Sequence, residues 1–357
     1  MKKRNVLLLC GGQSSEHEVS LTSASYLWET IHQDMFQVFV VLWCKDGKWY
    51  WIDTPNELVK KRGKLVENLQ VGQWEKVLLD YTQSRLIDLE TGGKKISQKI
   101  DVVFPILHGA LGEDGCIQGL CKIANIPCVG SSVLSSAICM DKVIAKQILS
   151  ANQIPNTPFV FFKKQDWQNN MIECQNKIES QLRFPIFVKP ANGGSSVGVT
   201  KVSHKNKIKE AVENSFQHDT KVLIEQGIQG QELECAVLGN TDLNVSIVGE
   251  IIAGNEFYDY EAKYYSGKSQ TLIPANIDQN MQNKIQHLAA LAYKALDCAG
   301  FARIDFLLEK DTQILYINEI NTIPGFTAIS MYPKLMASSG ISYQDLITKL
   351  IDLAYEV

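Results

Sequence analysis

The sequence has no long apolar segment. No stretch approaches the roughly 18 to 20 consecutive apolar residues that a membrane-spanning helix needs, which excludes a transmembrane helix. The basic start, Met1 to Arg4, precedes the apolar run Val6 to Cys10, a pattern that also begins secretory signals, but this run ends at Gly11. It is too short for a signal sequence and predicts a buried first strand.

The sequence also lacks an excess of charge of either sign. The 35 Lys and Arg against 39 Asp and Glu give a formal net charge of −4, without runs of like charge. Because no basic stripe is available to neutralise phosphates, we expect neither nucleic acid nor a membrane as a partner. The 45% of hydrophobic and 21% of charged residues are typical of globular proteins, and 357 residues suffice for two or three domains.

Three common functional motifs are missing. The nine cysteines form an odd set without a C-x-x-C pair, so a reduced, cytoplasmic protein is the simple interpretation and a zinc site at Cys116 and Cys121 a remote one. The absence of G-x-x-x-x-G-K-[ST] excludes a Walker-type phosphate loop. No G-x-G-x-x-G follows the first strand, which argues against a dinucleotide-dependent oxidoreductase.

Residues 1–140 predict a parallel α/β domain. The run Val6 to Cys10 is closed by glycines, and Ser15-x-x-Glu18 matches a capping box for the helix that follows. Apolar runs recur at Phe36 to Leu42 and Asp101 to Leu107. Strands that alternate with helical segments are typical of βαβ units, which build parallel sheets.

Two further α+β domains are predicted, at 141–226 and 227–357. Each combines short apolar strands with amphipathic helices, and Gly227 and Gly230 mark the turn between them. The predicted strands are Phe184 to Lys189, Val197 to Val202, Lys221 to Glu225, Leu233 to Leu238 and Ile247 to Ile252; the predicted helices are Asp278 to Leu296 and Tyr343 to Tyr355; a polar and aromatic loop spans 257–269.

Two alternating apolar runs around a polar turn at 309–312 predict an antiparallel hairpin. Symmetric pairing about this turn places Asp305 opposite Glu319 and Arg303 opposite Asn321. Two opposed carboxylates repel each other unless a cation lies between them, and oxygen ligands of this kind suit Mg²⁺. A solvent-facing polar rim with Arg303 as the counter-charge is the alternative.

A loop of glycine and serine follows a strand that ends in a lysine. Lys189 and Pro190 precede the segment Ala191 to Gly198, whose backbone N–H groups and hydroxyls suit an anion. A lysine beside such a loop is well placed to bind a phosphate. Taken alone, the loop is equally compatible with a flexible hairpin turn.

Taken together, these features resemble the ATP-grasp superfamily, in which two α+β units grip ATP. The resemblance is to the D-alanine:D-alanine ligases and extends over about residues 5 to 355. Four segments are similar to segments of those ligases: Gly11 to Ser20, Leu107 to Gly115, Phe257 to Tyr264 and Asn321 to Pro333. The resemblance implies an ATP-grasp fold with an N-terminal parallel α/β domain, a small central α+β domain and a C-terminal α+β domain.

The resemblance also implies roles for individual residues. Glu16 would hold the amino group of a first D-alanine, and His108 would lie near its carboxylate. Ser195 and Tyr264 would join Glu16 in a hydrogen-bonded triad that lets the loop 257–269 close as a lid. The residues implied to bind ATP are Lys142, Lys189, Ser195, Ser196, Glu225, Gln226, Ile228, Glu232, Phe257 and Lys263; those implied to bind metal are Asp305, Glu319 and Asn321.

The implied reaction has two steps, with ATP and two Mg²⁺ ions as cofactors and Mn²⁺ as a possible replacement. A D-alanine carboxylate attacks the γ-phosphate to give D-alanyl phosphate, which a second D-alanine then attacks as an amine. Arg303 and the N–H of Gly325 would stabilise the oxyanion, and Ser330 and Met331 would border the second D-alanine. The implied product is the peptidoglycan dipeptide, and the implied assembly is a homodimer.

Other functions on the same scaffold stay open from sequence alone. A D-serine or D-lactate ligase differs mainly in the lid and just after Ser330, where this chain has the D-alanine type of sequence, Ser330 to Pro333. Another carboxylate-amine ligase would lack the segment around Glu16. An ATP-binding regulatory protein would need a broken metal set, whereas Asp305, Glu319 and Asn321 are all present.

Overall fold

The computed structural model describes residues 2–53, 55–56, 74–252 and 270–357, which form three β-sheets with flanking helices. The sheets follow one another along the chain, with seven strands before residue 106, four between 159 and 226, and five between 230 and 321. Both predicted domain boundaries, at 140 and 226, fall between sheets. The predicted fold class, α/β followed by α+β, is confirmed, whereas the exact boundaries at 140 and 226 stay predictions.

The first sheet is mixed. Its parallel part consists of β1 (Arg4–Gly11), β2 (Phe36–Trp43) and β7 (Val102–Pro105), which are the three apolar runs that the sequence indicates. Four antiparallel strands that the sequence analysis did not identify extend it beyond β2. They are β3 (Trp49–Ile52), β4 (Glu75–Asp80), β5 (Arg85–Asp88) and β6 (Ser97–Lys99), and the order is β6-β5-β4-β3-β2-β1-β7.

The capping box predicted at Ser15 is wrong. Helix His17–Thr30 begins after Glu16, and no described side chain caps it with a hydrogen bond. The backbone N–H of Glu16 donates to Ser14 Oγ at 3.1 Å, while the carboxylate of Glu16 turns to Ser195 in the second unit. The acidic residue at this helix start thus contacts the neighbouring unit and not its own helix.

The second sheet is antiparallel and has two different faces. It consists of β8 (Phe159–Lys163), β9 (Ile186–Pro190), β10 (Thr200–Val202) and β11 (Lys221–Gln226), in the order β10-β9-β11-β8. One face packs Val160, Val188 and Ile224 into a core with helices Met171–Gln181 and Ile208–Ser215. Because side chains alternate along a strand, Lys189 and Glu225 lie on the opposite face.

The third sheet contains the predicted hairpin. Its strands are β12 (Gly230–Leu238), β13 (Asn244–Ile252), β14 (Gln270–Leu272), β15 (Phe301–Glu309) and β16 (Leu315–Asn321), in the order β14-β13-β12-β15-β16. Asp305 pairs with Glu319 and Arg303 with Asn321, which confirms the predicted register. A register shift follows Asp305. Helix Gln279–Ala295 covers one face through Ile285, Leu288 and Ala292.

The last two helices join the third sheet to the first unit: Met331–Ser338 packs against β12 and β13, and Tyr343–Leu353 packs against helix His17–Thr30. Helices Met331–Ser338 and Tyr343–Leu353 pack Leu335, Leu346 and Leu350 into the same core as Val6 and Leu8 of β1. None of the helices described is long and apolar enough to cross a membrane. The remaining helices in the described part of the chain are Cys116–Ile123, Val133–Met140, Lys142–Ala151 and Lys164–Asn169, with a short 3₁₀ turn at Lys205–Lys207.

Candidate active site

A cavity of about 730 Å³ lies where the three units meet. Every described residue that the sequence analysis assigned to ATP, metal or substrate borders it, whereas Phe257, Lys263 and Tyr264 lie outside the described residues. The bordering residues are Glu16, His108, Lys142, Lys189, Ser195, Ser196, Glu225, Gln226, Ile228, Glu232, Arg303, Asp305, Glu319, Asn321, Gly325, Ser330 and Met331.

Glu16 connects the first unit to the glycine and serine loop of the second. Ser195 Oγ donates to Glu16 Oε1 at 2.5 Å, so two members of the predicted triad are in contact. The other oxygen, Oε2, lies between two glycines: a Cβ on Gly194 would approach it to 2.6 Å and one on Gly109 to 2.8 Å. Only residues without a side chain leave room for the carboxylate at this point.

His108 is buried beside a second carboxylate, Glu113. Its Nδ1 lies 3.0 Å from the carbonyl of Ile323 and 3.9 Å from Glu113 Oε1, and its Nε2 lies 3.2 Å from Ser23 Oγ. Burial lowers the pKa of His108, but the negative charges of Glu113 and Glu16 outweigh burial, so this pKa is raised above its usual value. Burial also raises the pKa of Glu113.

Two lysines share one buried carboxylate on the face of the second sheet that helix Lys142–Ala151 packs against. Glu225 Oε1 lies 2.5 Å from Lys146 Nζ, and Oε2 pairs with Lys189 Nζ. Burial by itself raises the pKa of Glu225, but the charges and hydrogen bonds of both lysines lower it to about 2. Burial lowers the pKa of Lys146, whereas the charges of Glu225 and Glu319 raise the pKa of Lys189.

Lys142 stands between the glycine and serine loop and the hairpin. Its Nζ donates to the carbonyl of Gly193 at 2.7 Å and lies 3.6 Å from Glu319 Oε2. In the same loop Ser195 and Ser196 have φ values of 50° and 60°, a left-handed conformation that costs non-glycine residues roughly 1–3 kcal/mol each. Such a conformation turns consecutive N–H groups to one side, as in anion-binding loops.

Three carboxylates lie side by side on adjacent strands of the third sheet. Asp305 pairs with Glu234 on β12 and with Glu319 on β16. Arg303 relieves the repulsion: Nε and Nη2 donate to the two oxygens of Asp305 at 2.7 Å each, and Nε lies 3.0 Å from Glu234 Oε2. Burial lowers the pKa of Arg303, but Asp305 and Glu234 outweigh burial and raise it.

The predicted metal-binding residues fit an ion whose coordination is completed by oxygens of a bound substrate. Within the described ranges, no three His, Cys, Asp or Glu side chains form a metal cluster. The predicted set instead combines the carboxylates of Asp305 and Glu319 with the amide of Asn321, whose Nδ2 donates to Asp305 Oδ2 at 3.0 Å. Two carboxylates and one amide suit Mg²⁺ when phosphate oxygens complete the shell.

The start of helix Met331–Ser338 borders the cavity with polar groups. Ser330 precedes the helix without capping it; its Oγ accepts from the N–H of Thr327 at 3.1 Å and lies 2.8 Å from Thr327 Oγ1. A Cβ on Gly325 would approach Ser330 Oγ to 2.9 Å. The uncapped N–H groups of a helix start attract a carboxylate.

Sequence reasoning missed several residues that build the site. Lys146 could have been identified from the sequence, because it lies four residues after Lys142 and therefore on the same helix face. Glu234 likewise lies two residues after Glu232 on one strand face. Glu113 stands inside a recognised segment, but no pattern separates it from its neighbours. Thr157, whose Oγ1 donates to Glu225 at 2.8 Å, had no signal of this kind.

Two family models match the chain. The model described as D-ala D-ala ligase N-terminus covers residues 5–131, and the one described as D-ala D-ala ligase C-terminus covers residues 148–352. The chain belongs to the D-ala D-ala ligase family. Glu16 and His108 lie in the first match, and the hairpin residues and Ser330 lie in the second.

Whole-length relatives agree with this assignment to the D-ala D-ala ligase family. The D-alanine–D-alanine ligase of Acetivibrio thermocellus is 48% identical over 372 residues, which cover 99% of this chain and 96% of the relative. D-alanine–D-alanine ligase B of Clostridium tetani is 44% identical, with 99% and 94% covered.

Solved structures extend the similarity to the fold. The VanG D-Ala:D-Ser ligase from Enterococcus faecalis has a TM-score of 0.87 at 36% identity, over 99% of this chain and 100% of the other. The D-alanine-D-alanine ligase from Coxiella burnetii has a TM-score of 0.86 at 33% identity, over 100% and 95%. The predicted ATP-grasp fold is confirmed.

Proposed function

We propose that this member of the D-ala D-ala ligase family joins two D-alanines into D-alanyl-D-alanine with the hydrolysis of ATP to ADP and phosphate, for peptidoglycan precursor synthesis. One observation carries the proposal. One cavity is lined both by cationic groups that can bind a triphosphate and by a carboxylate that can bind an amino group. The chain is also 48% identical, over its length, to a D-alanine–D-alanine ligase. Lys142, Lys189 and Arg303 are the cations, and Glu16 is the carboxylate.

In the first step, the carboxylate of one D-alanine attacks the γ-phosphorus of ATP and ADP leaves. Glu16 binds the ammonium group of this D-alanine, with His108 close to its carboxylate. Lys142 and Lys189 neutralise the charge that spreads over the transferred phosphate. The left-handed Ser195 and Ser196 turn N–H groups and hydroxyls toward the same oxygens.

In the second step, the amine of another D-alanine attacks the carbonyl carbon of D-alanyl phosphate, and phosphate leaves as the peptide bond forms. Arg303 and the N–H of Gly325 stabilise the oxyanion, a role in which the loss of one donor typically costs about 10²- to 10³-fold in rate. Ser330 and the helix start at Met331 bind the second carboxylate.

The hairpin residues Asp305, Glu319 and Asn321 would hold Mg²⁺, with Mn²⁺ as a substitute. When bound, the metal would supply positive charge that offsets the negative charge of the phosphates. The proposal rests on the confirmed register of the two carboxylates and on their position beside Lys142.

The remaining parts of the proposal rest on the family resemblance alone. Phe257, Lys263 and Tyr264 would belong to a lid, with Lys263 on a phosphate and Tyr264 beside Glu16 and Ser195. Glu225, Gln226 and Ile228 would meet adenine through their backbone, and Glu232 would meet ribose. We also propose a cytoplasmic homodimer.

The test is phosphate release from ATP and Mg²⁺ with D-alanine, L-alanine, D-serine or D-lactate, alone and mixed with D-alanine, and with products identified by mass spectrometry. We expect D-alanine alone to give D-alanyl-D-alanine. The D-serine mixture matters because the fold neighbour VanG is described as a D-Ala:D-Ser ligase. A main product of D-alanyl-D-serine in the mixture, or no release with D-alanine, would contradict the proposed activity.

A further inference from the structure

Lys146 is a buried lysine to which the proposed reaction gives no role. Its side chain is 1% exposed, one helical turn after Lys142 in helix Lys142–Ala151. Lysine is almost never fully buried without a partner, because an unpaired ammonium group in the interior is costly. The contacts of Lys146 must therefore compensate its buried charge.

Lys146, Thr157 and one carboxylate oxygen of Glu225 all contact one another. Its Nζ lies 2.5 Å from Glu225 Oε1 and donates to Thr157 Oγ1 at 2.6 Å, and Thr157 Oγ1 donates to the same Oε1 at 2.8 Å. The ring of Phe159 lies 5.9 Å from Nζ, on the strand that pairs with Glu225. Lys146 itself does not border the cavity.

The second oxygen of the same carboxylate holds the lysine that faces the cavity. Phe187 pairs with Glu225 and Lys189 with Leu223, so Lys189 lies diagonally across from Glu225 on one sheet face. Lys189 Nζ pairs with Glu225 Oε2. Glu225 is thus shared by one lysine in the interior and one at the cavity.

We propose that Lys146 is a positioning residue of the nucleotide site: it keeps Glu225 paired when Lys189 turns to a phosphate. This inference rests on the proposed use of ATP. With Lys146 present, Lys189 leaves behind a carboxylate that still has an ammonium partner. Without Lys146, the same movement would leave a buried carboxylate without a cation, which strongly opposes it.

The inference predicts that Lys146 matters for phosphates and not for the nucleoside. The experiment measures the dissociation constants of ATP and adenosine by calorimetry, for the wild type, Lys146→Met and the charge-matched Lys146→Met/Glu225→Gln. We expect Lys146→Met to weaken ATP binding about 10-fold or more while adenosine binding stays within about twofold. In the double variant Lys189 has no buried carboxylate to leave, so the ratio of the two constants returns toward the wild-type value.

Two outcomes would overturn the inference. An equal loss of ATP and adenosine binding in Lys146→Met would indicate a general structural role. A double variant that binds ATP as poorly as the single one would mean that Lys146 does not act through Glu225. If Lys146→Met fails to fold, Thr157→Val decides: a higher ratio of the ATP dissociation constant to the adenosine dissociation constant supports the inference, and an unchanged ratio overturns it.

The result is separable from the proposed ligation. Dipeptide formation by the wild-type protein is measured with D-alanine, whereas the binding ratios need no second substrate. Absent dipeptide together with the expected ratios would contradict the ligation and leave the role of Lys146 intact.

Discussion

The carboxylate of Glu16 occupies a space that two glycines leave open. A Cβ at position 194 would stand 2.6 Å from Glu16 Oε2, closer than side chains normally approach, and would push the carboxylate away from Ser195. We predict that Gly194→Ala lowers D-alanine turnover by about 10²-fold, the typical cost of displacing a substrate-binding group by about 1 Å. Steady-state kinetics with a thermal melt measures this effect.

The neighbouring Gly193 provides the matched control. A Cβ there has Pro190 Cβ at 3.8 Å as its nearest contact, which is an ordinary van der Waals distance. Gly193→Ala should therefore lose far less activity than Gly194→Ala. Equal losses would mean that loop flexibility, and not the space around Glu16, is what the glycines provide.

Glu234 is a second residue with a specific expected effect. Its Oε2 lies 3.0 Å from Arg303 Nε, the nitrogen that also donates to Asp305 Oδ1. We predict that Glu234→Gln lowers kcat about 10-fold and leaves KM for ATP nearly unchanged, as expected when a supporting interaction weakens by roughly 1.4 kcal/mol. The exposed Glu210→Gln is the control. A change in KM for ATP alone would contradict the assignment of Glu234 to Arg303.

The sequence predicts the neighbours of Arg303 on the hairpin better than the partner of Lys146. Hairpin pairing follows from alternation and a short turn, so the sequence alone predicts the register of Asp305, Glu319 and Asn321. The contact of Lys146 with Glu225 joins residues 79 positions apart on a helix and a strand, and no local pattern encodes it.

The proposed metal-binding residues all lie on one hairpin, β15–β16. Its interior side chains Ile304, Phe306 and Ile317 are fully or almost fully buried, so the strands should keep their register when the cavity-lining carboxylate of Glu319 is removed. We predict that Glu319→Ala leaves a folded protein whose turnover falls on the order of 10³-fold, a loss of several kcal/mol of charge stabilisation.

The control for Glu319→Ala is Glu309→Gln at the far end of the same strand pair. Mn²⁺ binding, followed by electron paramagnetic resonance in the presence of ADP, should weaken in Glu319→Ala and persist in Glu309→Gln. Unchanged Mn²⁺ binding in Glu319→Ala would remove Glu319 from the metal set.

The turn between β5 and β6 depends on one buried carboxylate. Asp88 accepts hydrogen bonds from the hydroxyl and N–H of Thr91 and from the N–H groups of Lys95 and Ile96, at 2.6 to 3.1 Å. The Thr91 hydroxyl first, then the backbone N–H groups, hold the pKa of Asp88 well below its usual value against the effect of burial. The ionised form is therefore what stabilises this turn.

The sign of the pH effect follows from that lowered pKa. The stabilisation is fully present above the unfolded pKa of about 3.9 and is lost as pH falls toward the folded pKa. We predict that Asp88→Asn is less stable than the wild type at pH 7, and that the difference between them shrinks below about pH 4. Thermal melts at pH 7 and pH 3 test this; a constant difference would exclude the charge of Asp88 as the cause.

Among the secondary-structure elements, those with long apolar runs or clear alternation could be predicted from the sequence, and those that depend on tertiary contacts could not. The buried strands β1, β2 and β7 were predicted because parallel strands read as continuous apolar runs. Strands β3 to β6 were missed because they are short, half-exposed and carry charged residues such as Lys76 and Arg85. The capping box failed because Glu16, and not Ser15, is the residue before the helix, so Ser15 and Glu18 do not stand at the two positions that the box requires.

The site exists only where three units meet, and a ligand must therefore connect them. We predict that ATP slows hydrogen exchange together in the loop 193–198, at 225–232 and around Asn321, since all three segments border one cavity. Exchange followed by mass spectrometry, with adenosine as the comparison ligand, measures this. Protection confined to the second sheet would mean that the third unit does not take part in binding.

The late position of the last two helices in the chain has a consequence for synthesis on the ribosome. Strands β1, β2 and β7 are complete by residue 105 and helix His17–Thr30 already packs on β1, but the last two helices of the same core begin only at Met331. At about 5 to 20 residues per second, this core waits on the order of 10 to 45 s for its last two helices. The apolar side chains of helix His17–Thr30 that later meet helix Tyr343–Leu353 stay uncovered during this interval, and we expect ribosome-associated chaperones to bind the nascent chain there.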